Sequence, residues 1–270
     1  IWKAWPRPQE IRPRNPMIKS AFFPLLIFTF AIFTGCSQRE QPIPENAGPA
    51  QPRAQTVRVD PATAGSITGV VNFQGAVPKF PTLDMTADPG CPQKPQPSEV
   101  VAVNRGRLAN VFVYVKEGLP QGSFSAPHDA VVLDQKGCRY SPRIMGIMVG
   151  QPFKVLNSDT ADHNIHGMAR NNPQWNESQL PTDAPIIKTF TNPEMMLPLQ
   201  CNQHPWMRAY VNVMTNPYYA VSAEDGSFQI SGLPPGQYTL AAVHEKFGEK
   251  TTKVKVGAKE SAKAEFVFTP

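Results

Sequence analysis

The chain has 270 residues, 17% charged and 41% hydrophobic, enough for one large domain or two ordinary ones with packed cores. Thirty prolines argue against a helical protein, because each costs about 3 kcal/mol inside a helix. The net charge of +5 does not mark a nucleic-acid binder: five of the 26 basic residues and one of the 21 acidic ones lie in the first 35 positions, and the remainder, 21 against 20, shows no clustered basic face.

Met17-Ile18-Lys19-Ser20 precedes a run from Ala21 to Phe33 dominated by Phe, Leu and Ile. That is the charged-then-apolar layout of a secretory signal, with Met17 the expected start. The run is shorter than the roughly 20 apolar residues that cross a bilayer. It ends in Phe33-Thr34-Gly35-Cys36-Ser37, which resembles the lipobox of bacterial lipoproteins, although Phe33 stands where an aliphatic residue is usual. The resemblance implies that residues 1–35 are a leader and that Cys36 is lipidated. It also implies an exported chain anchored in the cell envelope and facing the periplasm, Ser37 favouring the outer membrane. Residues 36–56 contain Pro42, Pro44, Pro49 and Pro52 and one strongly apolar residue, Ile43. Such a stretch cannot offset its own chain entropy and reads as a disordered, partly extended linker.

From Ser66 onward, short alternating runs are separated by Gly, Pro and Asp clusters. The pattern predicts strands over 66–73, 108–115, 130–133, 143–149, 153–157, 186–190, 195–199, 209–214, 227–230, 238–244, 251–256 and 262–268. No segment shows a capped helical period. The class is all-β, a sandwich or barrel.

The stretch Cys201-Asn202-Gln203-His204-Pro205-Trp206-Met207 lies between two predicted strands. A thiolate, an imidazole and a thioether on one tight loop suit a soft or borderline metal, and the thioether favours copper over zinc. A further ligand must come from His128, His163, His166 or His244. His163 is the best placed, in Asp162-His163-Asn164-Ile165-His166 after a strand and turn. Two His, one Cys and a weak axial Met form the blue-copper arrangement. With Cys36 assigned to lipid and Cys201 to metal, Cys91 and Cys138 remain in a compartment that permits disulfides. A bridge between them is expected, with two buried thiols as the alternative.

Cys-x2-His-x2-Met with Pro after the His resembles the ligand loop of the amicyanin branch of the cupredoxins, as His163-Asn164-Ile165-His166 resembles their first-ligand segment. Gln203 departs from the Pro often found there. The resemblance covers about residues 121–216. It implies a Greek-key β-sandwich holding one type 1 copper. Equatorial ligands would be His163, Cys201 and His204, Met207 would be axial, and Asn164 would brace the Cys loop. The His204 ring edge would reach the surface as the electron port, with Pro205 in the docking patch.

Asp225-Gly226-Ser227-Phe228-Gln229-Ile230 and Leu233-Pro234-Pro235-Gly236-Gln237-Tyr238 carry hairpin and loop signals. They resemble the carboxypeptidase regulatory-like, transthyretin-type β-sandwich family. Residues 57–120 and 217–270 would form that second small sandwich, with 121–216 inserted; a simple tandem is the alternative. The expected function is a membrane-anchored electron carrier, not an enzyme, serving periplasmic c-type cytochromes or an oxidoreductase. Copper holding or delivery, and a scaffold with a vestigial metal site, are the alternatives. A multicopper oxidase or nitrite reductase needs further His ligands, and the chain has five His in all.

Overall fold

The computed structural model describes residues 55–270; the leader, Cys36 and the linker through residue 54 lie outside the described residues. The first flank forms β1 (Gly65–Phe73), β2 (Val103–Asn104), β3 (Arg107–Leu108) and β4 (Phe112–Glu117). The middle of the chain forms β5 (Val131–Gln135), β6 (Tyr140–Ser141), β7 (Ile144–Met148), β8 (Pro152–Asn157), β9 (His163–Gly167), β10 (Trp175–Gln179), β11 (Ile186–Thr189), β12 (Glu194–Gln200) and β13 (Arg208–Met214). The second flank forms β14 (Tyr219–Val221), β15 (Ser227–Leu233), β16 (Gly236–His244), β17 (Gly248–Val256) and β18 (Ser261–Phe268). The described residues are all-β, without a helix.

These strands make four sheets. The middle of the chain supplies two of them, ordered β11-β8-β5-β6 and β10-β9-β12-β13-β7. The flanks supply the others: β15-β1-β3-β2 with β18 parallel to β1, and β14-β4-β16-β17. The chain leaves the flank sheets after β4 and returns on β14, which pairs antiparallel with β4.

Shared cores stack the sheets as four layers. Phe153, Val155 and Leu133 meet Ile165, Leu199 and Val211 between the two middle sheets. Ile67, Phe228 and Phe266 meet Val113, Leu240 and Ala242 between the two flank sheets. Phe112, Tyr114 and Ala241 meet Ile144 and Met214 where a flank sheet lies on a middle sheet. A strand covered on both faces reads as an unbroken apolar run, which is why Phe112-Val113-Tyr114-Val115 does not alternate with polar residues. Gly146 keeps the middle contact close, since a Cβ there would lie 2.3 Å from the Tyr219 ring. Arg143 and Glu245 cross the same boundary as a buried two-pronged ion pair, at 2.5 and 2.8 Å.

Two sequence expectations change. The strand expected over 108–115 is broken at Asn110, whose φ of 60° turns the chain from the β1 sheet into the β16 sheet. No strand is predicted over residues 163–167, which form β9. Between β1 and β2 the chain makes a long excursion, residues 74–102, held by a Leu83–Gln96 bridge. It delivers Met85 and Cys91 into the core of the middle sandwich.

Candidate metal centre

His163 opens β9 and is fully buried beside Ile165. Cys201 and His204 lie on the loop joining β12 to β13. That loop is closed by its own backbone: Cys201 N–H donates to the Met207 carbonyl at 3.1 Å, and Met207 N–H to the His204 carbonyl at 2.8 Å. The His204 N–H also points at Cys201 Sγ, 3.4 Å away. Ligand atoms of His163, Cys201 and His204 all lie within 4.8 Å of one another, and all three residues are buried. Met207 is 1% exposed and packs in the same apolar core as Cys201.

Asn164 ties the two segments together. Its Oδ1 accepts from Asn202 N–H at 2.7 Å and lies 3.3 Å from Cys201 Sγ, while its Nδ2 donates to Asn176 on β10. Tyr140 donates to the Asn164 carbonyl, and its hydroxyl is pushed far up by burial and then by nearby Cys201. His166 is partly exposed, faces Asn202 at 3.3 Å, and is not part of the buried trio.

The imidazoles show which chemistry fits. His163 Nε2 lies 2.8 Å from Asp159, and His204 Nε2 lies 3.0 Å from Asp88. An ionised carboxylate only accepts, so each Nε2 must donate. Each Nδ1 is then left with a lone pair, and the two Nδ1 atoms face each other at 2.9 Å. Two lone pairs at that distance need a shared positive charge, a proton or a cation. Burial pushes the His163 imidazole below its ordinary value despite the opposing pull of Asp159, which disfavours the proton. Asp88 is itself held below the usual carboxylate range, first by the Gly90 N–H. A thiol, two imidazole Nδ1 atoms and a buried thioether nearby suit a soft cation held in a low-coordinate site. Outer partners on both imidazoles are the usual companions of metal-bound histidine.

Neither Asp88 nor Asp159 stands out in the sequence as part of the site. Asp159 also accepts the Gly137 and Cys138 N–H groups at 2.6 and 2.8 Å, and its loop is wound by Asn157. It carries a local signal, since the Asn157-Ser158-Asp159 turn closes just ahead of His163. Asp88 carries none, arriving on the excursion from the flank. Cys91 and Cys138 form a disulfide across 47 residues, and this fixes the excursion over His204. Cys91 Sγ lies 3.9 Å from His204 Nε2. The expected surface position of the His204 ring edge is therefore corrected: His204 is 4% exposed because Asp88 and the disulfide cover it. Instead Trp206, half-buried, lies against the His204 ring at 5.1 Å between centroids and donates to the Cys138 carbonyl at 3.0 Å. His244 is buried against Phe247 and Phe268 in the flank sandwich, away from the trio.

No family model matches the chain, and no curated protein matches it. Solved structures do. A Cu-containing nitrite reductase from Thermus scotoductus SA-01 aligns at 18% identity and TM-score 0.31, over 37% of this chain and 26% of that one. An oxidized mutant form of amicyanin aligns at 19% and 0.29, over 38% and 98%. A purple cupredoxin from Nitrosopumilus maritimus aligns at 25% and 0.27, over 32% and 100%. The chain thus spans about a quarter of the nitrite reductase.

Proposed function

We propose that the chain is a type 1 copper protein that carries single electrons between redox partners, anchored to an envelope membrane through Cys36 and facing the periplasm. One observation carries the copper reading. Two buried imidazoles, each with its outer nitrogen held by a carboxylate, aim their inner nitrogens at one point beside the thiol of Cys201. Bound there, copper would supply a one-electron couple. His163, Cys201 and His204 would hold it, with Met207 as the weak fourth ligand. The protein's part is rigidity: the ligands sit on a closed loop and a sheet strand, pinned by Asn164, Asp88 and Asp159, so little need move when charge changes.

The partners proposed are periplasmic redox proteins such as c-type cytochromes or an oxidoreductase. The flank sandwich, read as the transthyretin-type module, serves as the carrier that holds the site away from the anchor. Titration with Cu(II) tests the reading. One equivalent per chain should give an intense visible absorption that Cys201→Ser abolishes. Copper uptake without colour in the unmutated protein would instead favour the copper-holding alternative.

A further inference from the structure

We infer that electrons pass through the face of Trp206 and that the cleft beside it docks an acidic face of a redox protein; the inference rests on the copper reading above. His204 is closed off on its outer side, with Asp88 on Nε2 at 3.0 Å and the Cys91–Cys138 bridge against it. Besides the buried His163, the aromatic ring lying against it is Trp206, fixed by its bond to the Cys138 carbonyl. Trp206 is the half-buried one of the two, and it lines a cleft of about 320 Å³.

The charge of that cleft selects the partner. Its walls hold Arg139, Arg143, Arg208 and Lys246 against Glu99 and Glu245. Glu99 is paired with Arg139 at 2.7 Å, and Glu245 is taken up by Arg143. Arg208 and Lys246 are exposed and enter no carboxylate pair among the described residues. Two cations outside any carboxylate pair therefore share a cleft with the ring that lies against a proposed ligand. Complementary charge of this kind steers encounter and fixes orientation.

The first test needs no copper. In the metal-free full chain, the paramagnetic anion hexacyanochromate(III) should broaden the NMR signals of Trp206, Arg208 and Lys246, and poly-L-glutamate should displace it. Broadening centred on Asp88 or Gln203 would overturn the port. Displacement by inorganic phosphate but not by poly-L-glutamate would mean a small-anion pocket and overturn the docking claim. The second test uses the copper-loaded, reduced protein. Arg208→Glu with Lys246→Glu should slow oxidation by ferricyanide about tenfold and leave oxidation by tris(phenanthroline)cobalt(III) unslowed, with the visible spectrum unchanged. Trp206→Leu should slow both oxidants, and Trp206→Phe, which keeps an aromatic ring should the Leu variant fail to fold, should retain most of the rate. Equal ferricyanide rates in the charge-reversed and unmutated proteins would contradict the inference. Failure to take up copper would sink the copper reading while the broadening result still decides the docking site.

Discussion

At the scale of single residues, the site depends on two carboxylates that never touch the proposed metal. Each fixes a tautomer and aims a ring. Asp88→Asn should lower copper affinity by about 10–100-fold, measured by competition with a chelator, because the imidazole loses its charged acceptor. Unchanged affinity would show that Asp88 merely caps the loop. Asp159→Asn should do the same and also destabilise the fold, since Asp159 anchors two backbone N–H groups as well. A separate residue, His244, controls acid stability. Burial, with the nearby Arg143 charge, pushes it down from 6.5 to about 4. Its folded form is neutral, whereas the unfolded chain binds a proton below about 6.5. The unfolded state therefore gains protons first as pH falls. Its contribution is complete above about pH 6.5 and is lost between there and about pH 4, amounting to roughly 3 kcal/mol. Urea unfolding of the metal-free chain at about pH 7 and about pH 4.5 should show this loss, and His244→Phe should show less of it. An identical pH dependence in both proteins would exclude His244 as its source.

Among the elements, the ion pair between Arg143, just before β7, and Glu245, in the turn after β16, fastens the two sandwiches. Arg143→Met alone should cost about 3–5 kcal/mol by denaturant unfolding, because it strands a buried Glu245. Arg143→Met with Glu245→Leu should recover most of that loss. If the single and double variants unfold alike, the pair is not buried in solution. What could be read from the sequence follows from the same physics. Phe153 and Val155 are buried and Lys154 is not, so β8 showed its alternation plainly. β9 hid because its core face begins with His163, a polar residue placed there for the site rather than for packing. β4 and β7 are covered on both faces, so their runs marked strands without saying which face met what. Cys201, His204 and Met207 were legible because one short loop carries them. Asp88 lies 116 residues from His204 and reaches it only through the long excursion and its disulfide, a relation with no local period or spacing.

In the molecule as a whole, the described residues form four layers of sheet that share three cores, and the site lies at the end of the middle sandwich where the flank excursion crosses it. The two sandwiches are thereby joined at the Gly146–Tyr219 contact, at the Arg143–Glu245 pair and at the covered metal site. Gly146→Val should wedge the central layers apart and cost about 1–3 kcal/mol or more, read as a lower melting midpoint by calorimetry. An unshifted midpoint would mean that the layers separate freely. One copper ion is proposed to sit between His163, His204 and Cys201. Crystals of the copper-loaded chain, measured on both sides of the copper absorption edge, test this placement most directly. One anomalous peak should appear within bonding distance of both Nδ1 atoms and Cys201 Sγ; a peak elsewhere, or none there at full copper loading, would mean that copper does not belong at this site.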